Sequence, residues 1–398
     1  MCAAILALLA QSGVATSQVV SPVINDQLQL GDVFSTQVLD VEEAEDGLDA
    51  TSTAVGNIAS VVGQKTTVQV ESSQVLQSNV AATTSNTVEG TSGPLFSVVT
   101  SATGNSLTAG TCCNPVQAIV TQSIDTDREV TAFSYNGLRG PVQDVSVNAT
   151  AVGNTAGWQA ANGGIDTLTD QSHLGTTYAK AEGELTEATG TVALAATAVA
   201  NDVTVEATNS WTDMGVVQSK DGYGALATVE VKIEDAQDLA GQATATGNNI
   251  NVATSGKAAW LSADQTSAGV VTANTSVEVT NWAGTAQAIA YGVGNSTLVT
   301  NDGPEIALGM IQNTVAEVTG TANLTGHNGG DAYVEASAVG NALTANACGN
   351  CGGAIGAETY QTSGGPVTAT AGAIIGAARS VKARATAIGN TVTYQVGQ

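Results

Sequence analysis

Residues 147–154 read VNATAVGN, and the ending returns as STAVGN before Ile58, SAVGN before Ala342 and ATAIGN before Thr391. The closing asparagines are Asn57, Asn105, Asn154, Asn201, Asn248, Asn295, Asn341 and Asn390, with steps of 48, 49, 47, 47, 47, 46 and 49 residues. A near-constant step over most of a chain is an internal repeat, and it constrains the fold more than any single element does. The residue before the asparagine is Gly in seven copies and Ala200 in one, and the residue before that is always β-branched, from Val55 to Ile388. A second column keeps phase with the first: Gln27, Gln74, Gln122, Gln171, Gln218, Gln265, Gln312 and Gln361. Six of these glutamines follow an asparagine by 17 residues. The repeat region therefore runs from about Gln27 to the C-terminus as eight units of roughly 47 residues.

The alternation leading into the motif sets the local structure. Val145, Val147, Ala149, Ala151 and Gly153 share one parity, while Ser146, Asn148 and Thr150 take the other. Val381, Ala383, Ala385, Ala387 and Gly389 repeat the pattern against Lys382, Arg384 and Thr386. Period two is the signature of a strand with a small-residue inner face and a polar outer face. Alanine on the inner face requires the opposing sheet to come close, as in a thin two-layer coil. The fold class is thus all-β, a β-solenoid of about eight 47-residue repeats, with equivalent positions about 4.8 Å apart along the axis.

In such a stack the asparagines and the glutamines form side-chain amide ladders. The glycine permits a bend or bulge before each asparagine. Eight copies of one asparagine also argue against a single oxyanion donor. The sequence leaves open one coil per repeat, for a rod of about 38 Å, or two, for about 77 Å.

Three regions are expected. Residues 1–18 read as a secretory signal peptide, with the apolar run Ala3–Ala10 and the small residues Gly13-Val14-Ala15, although the positive start is missing. Residues 19–49 form an N-terminal cap and the first half-repeat, and 50–398 the repeat solenoid. Only 4% of residues are aromatic and 11% charged, but an apolar content of 43% with regular alternation is foreign to disordered chains. The net charge of −25, with ten Lys and Arg, supplies no basic footprint, so nucleic acid is excluded as a partner.

Candidate sites are few, and no catalytic, cofactor-binding or metal-binding residue is assigned. Cys112 and Cys113 follow Asn105 by seven and eight residues, and Cys348 and Cys351 follow Asn341 by seven and ten. The two pairs occupy one loop five repeats apart, at least about 24 Å along the axis, too far to share a zinc ion. Disulfides are expected instead: Cys348–Cys351 as a staple, and Cys112–Cys113 as a vicinal bridge or a link to another chain.

The acidic run DVEEAEDGLDA (40–50) lacks the ordered Asp-x-Asp-x-Asp-Gly of a calcium loop and reads as a solvated face. His173 and His327 fall in different phases, so no Ser-His-Asp arrangement can be read. Asp125 and Asp127 are spaced as glycosidase carboxylates can be, but nothing groups them with cleft residues. Trp158, Trp211, Trp260 and Trp282 could stack on sugar rings or fill the core.

Curli-type secreted fibre subunits also place Gln, Gly and Asn at fixed positions in a repeated β-arch, with a repeat about half as long. The longer unit here, with ATAVGN-like endings in an acidic, Thr- and Ala-rich chain, resembles the holdfast-anchoring HfaD family of stalked alphaproteobacteria. That resemblance implies a non-enzymatic protein, secreted to the outer membrane and cell surface. It would tether an adhesive polysaccharide holdfast together with sister anchor proteins. The alternative is an ice- or surface-binding solenoid, since Thr recurs at period two in Thr51–Thr53, Thr244–Thr246 and Thr391–Thr393. The C-terminal TVTYQVGQ alternates and is uncharged, so the last strand edge is expected to dock a second copy or a sister anchor protein.

Overall fold

A computed structural model describes residues 23–348 and 352–397, so the expected signal segment 1–18 and Cys351 lie outside the described residues. The first coil consists of β1 (Val23–Gln29), β2 (Val33–Val41) and β3 (Leu48–Gln64). The second consists of β4 (Val68–Leu76), β5 (Val80–Val88) and β6 (Leu95–Cys112). The second lies on the first in parallel register, with Val23 beside Val70, Val33 beside Val80 and Leu48 beside Phe96. Each 47-residue repeat is therefore one coil, which resolves the choice the spacing left open. Segments 23–41, within the expected cap, already pair as part of the first coil. The eighth coil holds strands Ala354–Ser363 and Val367–Val396. Eight coils at strand spacing give a stack of about 38 Å.

The coil is flattened into two layers. In the second coil, β4 and β5 run end to end as one layer, and β6 folds back over both as the other. Val68 and Val70 of β4 share a core with Leu107 and Ala109 of β6. Ala82 and Val88 of β5 share a second core with Phe96, Val98 and Ala102. Between the facing layers of that second core, the hydroxyls of Thr84 and Thr100 meet at 2.7 Å. Small β-branched and alanine side chains make up most of both cores and let the layers approach closely, with a few large ones such as Phe96 among them.

The Gly-Asn step lies between the two cores. Phe96, Val98, Thr100, Ala102 and Gly104 face inward, and then Asn105, Leu107 and Ala109 do, so two successive residues point in and the parity shifts by one. The pairing with adjacent coils stays one-to-one through the step, Thr103 beside Val152 and Asn105 beside Asn154, so this is the expected bend and not a bulge. The need for glycine is spatial, however, since none of the motif glycines has a positive φ. A Cβ on Gly104 would stand 2.6 Å from the carbonyl oxygen of Gly153 in the next coil and 2.8 Å from Cδ1 of Ile124. Glycine is thus demanded by close approach across and along the stack.

Candidate functional site

The repeated amides fill the wall between the two cores. Each asparagine Nδ2 donates to the Oδ1 of the asparagine in the following coil, from Asn57–Asn105 to Asn341–Asn390, over 2.7–2.9 Å. Each glutamine Nε2 donates to the preceding coil, from Gln74–Gln27 to Gln361–Gln312, over 2.6–2.8 Å. The two ladders therefore run with opposite polarity.

The second amide proton ties the layers together. Asn154 donates to the carbonyl of Ser172 at 3.1 Å, and Gln122 to that of Thr155 at 2.9 Å. Asn105, Asn154, Asn201, Asn248, Asn295 and Asn341 are fully buried, as are Gln74, Gln122, Gln171, Gln265 and Gln312, with Gln218 nearly so. A buried amide with every proton engaged rigidifies the interior, whereas a half-satisfied one would be costly.

Beside the ladder runs a column facing the motif glycines: Leu76, Ile124, His173, Lys220, Ser267 and Thr314 in successive coils. It is apolar at first and polar later. The buried Lys220 Nζ donates to the carbonyls of His173 at 3.3 Å and Gly175 at 2.7 Å, and to that of Asp221. Burial pushes its ammonium down to about 7, with Asp221 pulling the other way. His173 Nε2 lies 2.8 Å from the Thr177 hydroxyl. Burial, with the Lys220 charge beside it, holds its imidazole well below the ordinary value. Sequence reasoning weighed His173 and overlooked Lys220, although Lys220 shares the inward parity of Gln218.

On the outer face of the glutamine-bearing strands lie two shallow troughs. One of about 490 Å³ is lined by Glu71, Ile119, Asp166, Leu168, Asp213 and Gly215. The next, of about 450 Å³, is bordered by Asp213, Trp260, Ser262, Gly309 and Glu358. Asp213 belongs to both, so they follow one another along the axis. Trp260 is well exposed, whereas Trp158 and Trp282 are core residues and Trp282 Nε1 donates to the Asp331 carbonyl at 3.0 Å. Trp211 is half-buried beside Gly164. Of the four tryptophans, Trp260 is therefore the most exposed.

The remaining candidates stay apart. Cys112 and Cys113 are exposed and free, so the vicinal bridge is not formed. Adjacent Cα atoms sit about 3.8 Å apart, below the usual 4.4–6.8 Å span of a disulfide, and Cys113 turns away in a left-handed conformation with φ 80°. Of the other pair, Cys348 is described and Cys351 is not. Asp127 occupies a tight turn with φ 61°, and Asp125 precedes it there. The acidic run falls at the end of β2 and in the loop before β3, where Glu43 accepts from the Thr91 hydroxyl at 2.6 Å. Among the described residues, no three His, Cys, Asp or Glu gather as a metal site, and no helix is long and apolar enough to cross a membrane.

Nothing among curated proteins or solved structures matches the chain. A family model does, that of HfaD, holdfast attachment protein D, over residues 41–316. The match spans more than half of the 398 residues and covers the repeats from the first Gly-Asn motif into the seventh coil. The chain belongs to the HfaD family, the holdfast attachment proteins D.

Proposed function

We propose that this chain is a non-enzymatic strut that anchors the adhesive polysaccharide holdfast to the bacterial envelope, together with sister anchor proteins at the outer membrane. The buried double ladder is the observation that supports it. Seven asparagine rungs and seven glutamine rungs lie along the axis, in line with the parallel backbone bonds. Pulling along the rod loads the two rungs of each coil–coil interface together with that interface's backbone bonds, so the ladders reinforce every interface along the line of force. The consecutive troughs around Asp213 and Trp260 suit an extended polymer better than a small substrate, and an exposed indole can stack on a sugar ring.

The test is genetic. Deleting the gene in a holdfast-bearing host should release holdfast into the medium, and re-expressing the chain should retain it on the cell. A deletion strain that keeps its holdfast attached would overturn the proposal.

One observation favours a second reading. Thr53, Ser101, Thr150, Thr197 and Thr244 stack as an outward hydroxyl file in consecutive coils. A single file is a poor lattice match, because the neighbouring outward file mixes Thr51, Val99, Asn148, Ala195 and Gln242. Thermal hysteresis in purified protein would favour ice binding; its absence would leave the anchor reading.

A further inference from the structure

The ladders end differently at the two ends of the stack. On the first coil, Asn57 Oδ1 has no donor among the described residues, while Gln27 Nε2 gives one proton to the Ile58 carbonyl at 2.9 Å and has a second to give. On the eighth coil, among the described residues, Asn390 Nδ2 donates to no further asparagine and Gln361 Oε1 accepts from no glutamine. One end thus shows an asparagine acceptor and a glutamine donor, and the other shows the reverse.

Two first coils brought together with like files facing would set acceptor against acceptor in the asparagine file. Two eighth coils would set donor against donor. Joining a first coil to an eighth coil satisfies both files.

Charge divides the same way. Residues 23–67 of the first coil hold eight carboxylates against Lys65 alone. Residues 354–397 hold Arg379, Lys382 and Arg384 against Glu358 alone, in a chain whose net charge is −25. The register adds a specific pair. The outward file that begins at Asp49 passes through Ser97, Ser146, Ala193, Ala240, Gln287 and Tyr333 and ends at Lys382. One further coil above Lys382, if it were a first coil, would place Asp49 there. The cores also match: Val33, Leu39 and Val41 at one end and Val367, Ala369 and Ile375 at the other are only partly buried.

We propose that copies of this chain stack head to tail on a common axis, the first coil of one copy seated on the eighth coil of the next. Asn390 then donates to the partner's Asn57, and Gln361 accepts from the partner's Gln27. Such a contact is heterologous and does not close, so it propagates as a filament with an axial repeat of about 38 Å. The inference concerns the purified protein and stands apart from any role in holdfast attachment.

Cross-linking tests it. In a full-length parent with Cys2, Cys112, Cys113, Cys348 and Cys351 each replaced by serine, Asp49→Cys and Lys382→Cys would stand on adjacent rungs about 4.8 Å apart, within disulfide reach. After mild oxidation, the protein carrying both cysteines should give a covalent series of dimers, trimers and longer chains. Mixing the Asp49→Cys protein with the Lys382→Cys protein should give dimers that grow no further, and this arm serves if the double variant fails to fold. Dimers from either single variant alone, above the parent, would mean symmetric docking and overturn the proposal. So would the absence of cross-linking in folded mixtures at any concentration.

Discussion

His173 packs so closely on Gly153 that a Cβ on the glycine would lie 2.6 Å from the imidazole Nε2. Gly153→Ala is therefore expected to destabilise the protein by about 1–3 kcal/mol, the cost of overpacking a close interface. Ala200→Gly, at the same column position, removes a buried methyl and should cost no more than about 1 kcal/mol. Thermal unfolding separates them, and equal shifts would contradict a spatial role for the glycine.

The inner and outer faces can be told apart with one side chain. Ala151 is fully buried and Thr150 is partly exposed. Ala151→Leu should cost about 1–3 kcal/mol, with Thr150→Leu near neutral. Comparable losses would mean that the two faces are exchanged.

Removing one rung should be felt by its neighbours. Asn154→Leu leaves the Asn105 amide proton, the Asn201 carbonyl and the Ser172 carbonyl without their partners. Each buried orphan costs about 1–3 kcal/mol, so a loss of several kcal/mol is expected in denaturant unfolding. Asn148→Ala, on the exposed face, should stay within about 0.5 kcal/mol. A small effect at Asn154 would show that the ladder contributes little.

Lys220 should make stability depend on pH. Its folded value of about 7 lies below the ordinary 10.5, so between those values the unfolded chain holds the extra proton. Stability then rises with pH across that window, and the penalty is fully present below about pH 7. Lys220→Met should be more stable than wild type at pH 7, by roughly 1–4 kcal/mol, with the difference shrinking towards pH 10. A methionine variant that is less stable at pH 7 would show that the carbonyl bonds of Lys220 outweigh its burial.

The last coil offers a further test. Val392 and Tyr394 are both exposed there. Replacing both with lysine should block self-association, read by light scattering, with the β circular dichroism retained. Unchanged association would place the contact elsewhere.

The stack was legible in the sequence because Asn154, Gln171 and their counterparts recur in phase, and only stacking makes such recurrence necessary. The parity shift at Gly153-Asn154 was not legible. Thr155, Ala156 and Gly157 are all small, so either face accommodates them, and the buried Trp158 alone marks the new parity. The number of coils was hidden for a related reason. From the fourth coil on, strands run through their bends, as in Thr176–Lys220, so a bend glycine such as Gly190 does not end the strand and does not mark a turn. The vicinal cysteines misled because their spacing from Asn105 is informative and their local backbone is not. The burial of Lys220 depends on acceptors from Gly175 and Asp221, in a bend that spacing alone does not reveal.

The distance from Thr53 to Thr386 tests the single-coil stack most directly. Both lie on one outward file, seven coil steps apart. Spin labels at Thr53→Cys and Thr386→Cys, in the parent with all five native cysteines replaced by serine and diluted with unlabelled protein, should show a narrow distribution near 34 Å by pulsed dipolar spectroscopy. A distance near 67 Å would mean two coils per repeat, and a broad distribution would mean that the repeats do not stack at all.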